Sequence, residues 1–328
     1  MGKSTDRRPL AVMMSKRANI FYLEYVRLIQ KDARVMYLTQ TMQPIEKIVN
    51  IPDKNTAFIL LGKGTSITDS AIRMLAESNV MVGFCGSGGS PLHAVMDPVF
   101  LTPQDEYRPT EYFQKWAKLW FDEPTRLVLA KEFLRRRALW DLVEFNTISD
   151  LPEHDSLFNS FLSDIESSAV VMTLLTAEGR FVKSIYKLFA DKYKIKFSRD
   201  IDVDSKAKKT NDKKHETINS FLSHGNYIAY GVAATVLHVL GISFAFPLLH
   251  GKTRRGALVF DVADLIKDWI VVPIAFECGS RNTKDNEFRA KLIQSLMDNQ
   301  VLDKLFDFIK ELIEKYHINQ QVTVAFEK

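Results

Sequence analysis

The sequence predicts an α+β protein of two domains, with an N-terminal β-rich domain followed by a larger all-α domain. The first hundred residues contain short runs rich in β-branched and aromatic side chains, separated by turns, which is typical of strands. From Thr110 onward, apolar residues recur at helical spacing almost to the C-terminus. We therefore predict a β-rich domain over residues 1–100, a linker over 101–109 and a helical domain over 110–328, because a chain of 328 residues favours about two domains.

The composition is that of an ordinary globular protein, with 46% hydrophobic and 26% charged residues. A net charge of +4 permits nucleic-acid binding but does not require it. Cys85 and Cys278 lie far apart, which argues against a disulfide framework or a structural zinc site. The N-terminal segment lacks the apolar core of a signal peptide, so we expect a cytoplasmic protein.

The first domain is predicted to contain a hairpin, further strands and one helix. The runs ANIFYLEYVRLIQ and RVMYLTQ are separated by a turn at Lys31–Asp32, as in a β-hairpin. Ile45–Ile51 and Thr56–Leu61 continue the β pattern across a Pro-Asp-Lys-Asn turn. A helix capped by Ser66 or Thr68 then leads to a short buried strand, VMVGF.

The second domain carries six segments of helical periodicity, interrupted by one polar segment. Asp191–Glu216 alternates in charge and predicts a surface loop. The predicted helices are Thr110–Trp120, Glu123–Val143, Leu157–Ala190, Asn219–Leu240, Phe260–Val272 and Glu287–Tyr316.

One apolar segment raises the question of membrane association. Ile228–Leu249 contains no Asp, Glu, Lys or Arg and approaches the roughly 20 residues that span a bilayer. Its glycines, His238 and Pro247 instead favour a buried helix that breaks near Gly241 and Pro247. We predict no membrane partner, with a membrane-associated helical protein as the alternative.

The strongest candidate site lies in the segment LHGKTRRGALVFDVADLIKDWI, at 249–270. His250 precedes three acids, Asp261, Asp264 and Asp268, whose i, i+3, i+7 spacing places them on one helical face. An imidazole and clustered carboxylates suit a divalent cation. The intervening basic residues suit a phosphodiester and are our candidate phosphate clamps: Lys252, Arg254 and Arg255. The segment predicts metal-assisted phosphoryl chemistry.

Structural interpretations of the same residues remain open. The acids can be helix caps, Asp268 beside Lys267 can be a solvated face, and His250 can be a core histidine. A metal site also needs a ligand from elsewhere in the chain.

Glu178 is a candidate for that ligand, because it ends an apolar stripe and precedes a helix-interior glycine. Gly179 indicates a close approach by another group. The alternative, which the residues alone favour, is that Glu178 reaches towards Lys183 or Arg180 on a helix surface. For Arg135–Arg137, a solvated helix flank is likewise favoured over a DNA-binding face.

Four segments together resemble a known family. They are AEGR around Glu178, HGNYIAYG at His224–Gly231, LHGKTRRGALVFDVADLIKD at Leu249–Asp268, and SKRANIFYLEYVRL near the start. This set resembles the CRISPR-associated integrase, the DNA nuclease and integrase of CRISPR adaptation, and is most similar to subtype I-F. The resemblance covers about Ser15 to Asp268, and the remaining residues match only as helices.

The resemblance implies a catalytic site and a reaction. It implies that Glu178, His250 and Asp264 bind Mg²⁺ or Mn²⁺ and that Asp261 supports the site. The implied enzyme is a metal-dependent DNA endonuclease and integrase, which inserts captured DNA into the CRISPR array by 3′-hydroxyl attack on a phosphodiester. Asn226 and Tyr227 either contact the bound strand or belong to the core.

The resemblance also implies partners. These are double-stranded and branched DNA, a second copy of the chain in a homodimer formed by the β-rich domain, and a second adaptation protein that in subtype I-F is fused to a helicase–nuclease. The remaining alternative is a non-catalytic helical DNA-binding protein, for which the basic loop would suffice.

Overall fold

The fold is taken from a computed structural model that describes residues 19–39, 48–85, 99–101, 110–199, 213–251 and 256–326. These residues fall into two compact units, one within Met1–Ser87 and Val99–Tyr107, the other within Gly88–Pro98 and Arg108–Lys328. The first is rich in strands and the second is helical. The predicted fold class, a β-rich part followed by a larger helical part, is confirmed.

The described residues of the first unit form two sheets of four strands each. One sheet has the order β1-β5-β7-β8 and the other β4-β3-β2-β6. Among the described residues of this unit, one α-helix, α1 (Asp69–Glu77), lies between β6 and β7, and a 3-10 turn, Asp53–Asn55, lies between β4 and β5. The strands are β1 (Asn19–Leu23), β2 (Val26–Lys31), β3 (Arg34–Thr39), β4 (Ile48–Ile51), β5 (Thr56–Leu61), β6 (Ser66–Ile67), β7 (Met81–Phe84) and β8 (Val99–Leu101).

The predicted hairpin is present as β2 and β3, which pair antiparallel. Asp32 and Ala33 both have positive φ angles, as a two-residue turn that matches the strand twist requires. The run before this turn was wrongly predicted as one strand. It breaks at Tyr25, whose φ is 52°, so that β1 and β2 belong to different sheets.

The uninterrupted apolar character of β5 follows from its position. It pairs in parallel with β1 on one side and β7 on the other, and all six of its residues are buried. The parallel connection to β7 runs through α1, whose cap is Thr68, one of the two predicted candidates: its hydroxyl accepts the Ala71 N–H at 3.4 Å.

The second unit is built from nine α-helices within its described residues. They are α2 (Thr110–Phe121), α3 (Glu123–Phe145), α4 (Asp155–Ser167), α5 (Val171–Tyr193), α6 (Lys213–Val239), α7 (Ala257–Ile266), α8 (Val272–Ser280), α9 (Asp285–Asp298) and α10 (Val301–Phe326).

Three of the six predicted helices are interrupted in the structure. The segment predicted at Leu157–Ala190 divides into α4 and α5, and the C-terminal segment divides at Gln300, whose φ is 50°. Between α7 and α8 the chain makes a π-helical turn, Lys267–Val271. Apolar periodicity continues across all three breaks, because the helices on both sides face the same core.

Helix α6 forms the centre of the unit and is buried along most of its length. It ends at Val239, and Gly241 follows with a φ of 67°, as predicted for the break near that glycine. A helix apolar around most of its circumference is expected in the interior of a protein. Among the residues that the structure describes, no helix has the length and apolar character needed to cross a membrane.

Close packing of α6 against the π-helical turn depends on Gly225. A Cβ atom there would collide with Val271 Cγ1 and lie 3.3 Å from Phe288 Cζ. We expect Gly225→Ala to lower the free energy of unfolding by about 1–3 kcal/mol through overpacking. Gly179→Ala is the matched control, because a Cβ there meets nothing within 4 Å and should raise helix stability by about 0.4–1 kcal/mol. Urea unfolding of both variants measures the difference, and equal effects would contradict the packing argument.

Candidate functional site

Asp261 organises the loop that carries His250. It lies in α7, is almost fully buried, and its carboxylate accepts the backbone N–H of Leu248 at 2.6 Å and of His250 at 3.1 Å. The same carboxylate lies 2.7 Å from Nδ1 of the His250 ring. Because a carboxylate oxygen can only accept, Nδ1 is the donor. Asp261 is therefore not a cap of its own helix but a fixed point for a different segment.

Two tryptophans of α2 hold the chain just before His250. The indole N–H of Trp116 donates to the carbonyl of Phe246 at 3.2 Å, and that of Trp120 donates to the carbonyl of Pro247 at 2.6 Å. The loop is thus anchored from two helices, although it has no regular secondary structure of its own. His250 is part-buried rather than a core residue.

Asp264 lies one turn after Asp261 and faces the imidazole from the other side. Its Oδ2 is 3.7 Å from His250 Nε2, and its Oδ1 forms an ion pair with Lys267. Burial opposes ionisation of Asp264, but Lys267, Arg137 and His250 outweigh burial and lower the pKa of this carboxyl. Burial likewise opposes the charge on His250, while the hydrogen bond to Asp261 and the nearby acids raise the pKa of the ring.

Glu178 reaches the same site from α5 through Arg137 of α3. The Arg137 guanidinium donates from Nη1 to Glu178 Oε1 at 2.5 Å and from Nε to Asp268 Oδ2 at 2.7 Å. Arg137 is only 2% exposed, so its assignment to a solvated flank is wrong. The favoured surface role of Glu178 is also wrong, since Arg180 pairs instead with Asp164 at 3.0 Å.

The solvated interpretation of Asp268 is wrong as well. This carboxylate is 2% exposed and lies in the π-helical turn, where it accepts a hydrogen bond from Arg137 Nε and forms an ion pair with the same guanidinium. Burial raises the pKa values of Asp268 and Glu178, and Arg137 acts in the opposite direction on both. Gly179 does not permit a close contact within the protein, because its Cα faces open space in the cleft described next.

Glu178, His250 and Asp264 all line one cleft with a volume of about 1050 Å³. Asn226 of α6 lines it too, whereas Tyr227 is not among the lining residues and packs edge-on against Tyr230. Three exposed lysines also line the cleft: Lys183, Lys187 and Lys196. The predicted phosphate clamps Lys252, Arg254 and Arg255 lie outside the described residues.

Each of the three candidate ligands is held through one atom and leaves another available. Asp261 holds His250 Nδ1, Lys267 holds Asp264 Oδ1, and Arg137 holds Glu178 Oε1. No hydrogen bond from a described residue reaches the remaining atoms, which are His250 Nε2, Asp264 Oδ2 and Glu178 Oε2. Metal ligands in proteins are commonly oriented in this way by a second layer of partners.

The donor set has the right chemistry for Mg²⁺ or Mn²⁺, since two carboxylates and an imidazole suit hard and borderline cations. The side chains are not arranged around an ion, however. Over the described part of the chain, no three His, Cys, Asp or Glu residues are close enough together to hold one. Metal binding would therefore need small side-chain movements towards a common point.

Asp141 is a buried acid next to this network. It is fully buried on α3, and its two carboxylate oxygens receive no hydrogen bond from any described residue. Burial and the neighbouring Asp268 raise its pKa well above the usual range, although Arg137 opposes them. The surroundings of Asp141 therefore favour its neutral form over its ionised form.

The raised pKa of Asp141 predicts a pH-dependent stability. Its stabilising contribution is fully present below the unfolded pKa, near 3.9, and is lost as the pH rises towards the folded pKa. Asn cannot ionise, so the free energy of unfolding of Asp141→Asn should increase relative to that of wild type as the pH rises. Between the unfolded and the folded pKa of Asp141, the increase should be at most about 1.4 kcal/mol per pH unit. Urea unfolding of both proteins from pH 4 to pH 8 measures this. A difference that does not change with pH would show that Asp141 is ionised in the folded protein.

Arg137 and Lys267 are functional candidates that sequence reasoning missed. Lys267 had a detectable signal, because it stands three residues after Asp264 on the same helical face. Arg137 had none, since its partners are 41 and 131 residues away in the chain.

Comparisons with known proteins identify the family. The family described as CRISPR associated protein Cas1 matches residues 23–311. A CRISPR-associated endonuclease Cas1 from Pseudomonas aeruginosa (strain UCBPP-PA14) is 41% identical over 320 residues, covering 93% of this chain and 95% of the relative.

Two solved structures share the fold. TtCas1 in a DNA complex has a TM-score of 0.66 and 21% identity, and a casposase bound to integration product has a TM-score of 0.68 and 16% identity. Each likeness covers 90% of this chain and 91% of the other. The resemblance inferred from the sequence segments is confirmed by the family match and the Pseudomonas relative. The chain belongs to the Cas1 family of CRISPR-associated proteins.

Proposed function

We propose that this protein is a divalent-metal-dependent DNA endonuclease and integrase of CRISPR adaptation. In integration, the 3′-hydroxyl of a captured DNA fragment attacks a phosphodiester of the CRISPR array. The observation that carries the proposal is the set of three ligand side chains, each held by a partner through one atom and each lining the same cleft. The proposal is further supported by the names of the relatives, an endonuclease with 41% identity and a casposase bound to integration product.

Glu178, His250 and Asp264 would hold Mg²⁺ or Mn²⁺. The bound ion would supply Lewis-acid stabilisation of the charge that develops on the phosphodiester oxygens. The chain's own contribution is orientation: Asp261 accepts the hydrogen bond from His250 Nδ1, so that Nε2 is the ring atom that faces Asp264 and that would bind the ion. Lys267 and Arg137 offset the repulsion between the carboxylates of Asp264 and Glu178 within a buried site.

The cleft also offers a path for a DNA strand. Lys183, Lys187 and Lys196 line it, are exposed, and form no ion pair with a carboxylate among the described residues. Unpaired lysines bind phosphates without reading base sequence. We propose that these three residues, with Asn226 and the predicted clamps Lys252, Arg254 and Arg255, position the strand beside the metal ligands.

Cleavage and strand transfer on branched DNA test this function. Wild type is assayed with Mg²⁺, with Mn²⁺ and with chelator, and we expect both activities only with a metal. Lys183→Gln/Lys187→Gln should weaken DNA binding and flatten its salt dependence, whereas Lys194→Gln, an exposed lysine that does not line the cleft, should not. Binding without metal-dependent activity would favour the non-catalytic DNA-binding protein.

The β-rich unit has a feature that suits dimerisation. Within its described strands, β4 lies at the edge of a sheet and exposes Ile48 and Val49, at 54% and 37%. Exposed apolar edge strands favour pairing with another chain. We propose a homodimer formed by this unit, together with the second adaptation protein that the family resemblance implies. Light scattering of wild type and Ile48→Lys/Val49→Lys tests the dimer, and an unchanged mass would contradict this interface.

A further inference from the structure

The function proposed above gives Arg137 only an electrostatic part and gives Asp268 none. Both side chains are 2% exposed and come from different elements, α3 and the π-helical turn after α7. Arg137 is bound on two sides at once. Its Nε donates to Asp268 Oδ2 at 2.7 Å, with Nη2 2.6 Å from the same oxygen, and its Nη1 donates to Glu178 Oε1 at 2.5 Å.

The geometry restricts how Arg137 can act on Glu178. The guanidinium is planar, so that fixing two of its nitrogens on Asp268 also fixes the direction of the third. Arg137 contacts only Oε1, and Glu178 therefore keeps Oε2 for another partner on the cleft side. Arg137 lines the cleft but is only 2% exposed, because its guanidinium is engaged by carboxylates on both sides.

His250 is held in the same way as Glu178, by a partner that contacts only one of its polar atoms. Asp261 fixes His250 by holding one ring nitrogen and leaving the other towards Asp264. Glu178 lacks such a partner on its own helix, because its neighbour Arg180 points to Asp164. The chain from Asp268 through Arg137 is what restrains its carboxylate.

We infer that Arg137, anchored by Asp268, is a positioning residue that fixes the Glu178 carboxylate for divalent-metal binding. This inference rests on the proposed function, since it needs Glu178 to be a ligand. In the opposite role, Arg137 would compete with the metal for the Glu178 carboxylate and would weaken metal binding. The inference excludes that role.

A calorimetric titration of the full-length protein with Mn²⁺, in the absence of DNA, measures the Mn²⁺ affinity and tests the inference. Arg137→Lys keeps the charge but cannot bridge both carboxylates through a planar fork, and we expect a 10- to 100-fold loss of Mn²⁺ affinity, on the order seen for partners that orient metal ligands. Asp268→Asn removes the charge that anchors the guanidinium and should lower the affinity in the same direction. If Arg137→Lys does not fold, the Mn²⁺ affinity of Asp268→Asn tests the inference instead. Arg135→Lys is the matched control, because Arg135 lies on the same helix α3 but pairs with Glu132 and Glu166 away from the cleft, and this variant should bind as wild type does.

A double-mutant cycle separates positioning from general structural damage. In a Glu178→Gln background, Arg137→Lys should change Mn²⁺ affinity by less than about twofold, because the residue acts only through that carboxylate. An equal loss in both backgrounds, or wild-type or tighter binding by folded Arg137→Lys, would overturn the inference alone. Failure of wild type to bind Mn²⁺ would overturn the proposed function as well.

Discussion

Asp264→Asn should reduce the proposed metal-dependent cleavage and strand transfer by about 10³-fold, because it removes the charge of a carboxylate that is a metal ligand in the proposed function and whose Oδ2 faces His250. Loss of about 4 kcal/mol of transition-state stabilisation corresponds to this factor. Single-turnover assays on branched DNA with saturating Mn²⁺ measure it. Asp164→Asn is the control, because this acid pairs with Arg180 and does not line the cleft of the ligands.

Asp264 is also the partner of Lys267, so that its replacement has a structural effect that must be separated from the chemical one. Leaving a fully buried cation without its partner destabilises a protein by roughly 3–5 kcal/mol, and we expect a smaller loss for Lys267 because its side chain is 19% exposed. Asp264→Asn/Lys267→Met removes both charges and should recover most of the lost thermal stability without recovering activity. Recovery of activity in the double variant would show that Asp264 has no part in the chemistry.

Asp261→Ala should lower the free energy of unfolding by about 3–5 kcal/mol, the largest stability effect that we expect at this site. The substitution removes the acceptor of the backbone N–H groups of Leu248, Leu249 and His250, and of the His250 ring. Each donor left unsatisfied in a buried place costs about 1–3 kcal/mol. For a unit of this size the melting temperature should fall by roughly 10 °C.

Calorimetric unfolding of Asp261→Ala measures this loss. Asp307→Ala, at an exposed acid on α10 that pairs loosely with Lys310, should change the free energy by no more than about 0.5 kcal/mol. Asp261→Asn keeps one acceptor oxygen and should lie between wild type and the Ala variant. Equal stability of Asp261→Ala and Asp307→Ala would mean that other residues hold the loop of His250.

Local patterns predicted much of the fold. Alternation and turn residues identified the β2–β3 hairpin, and helical periodicity located the helical segments. The breaks at Tyr25 and Gln300 were missed, because positive φ at a non-glycine residue leaves no signal in an apolar pattern. The π-helical turn was missed for a similar reason, since the residues before and after it remain buried.

The sequence by itself determined the order of the two structural units, the family and the residue types on which the proposed chemistry depends. These depend on residue types and on short spacings within single segments, such as His250 to Asp264. Only the tertiary structure decided which atoms of these side chains are held and which are available. The partner of Glu178 comes from a helix 41 residues earlier, and the anchor of that partner lies 131 residues further along the chain. Such pairs are formed by packing of distant helices, which no local pattern encodes.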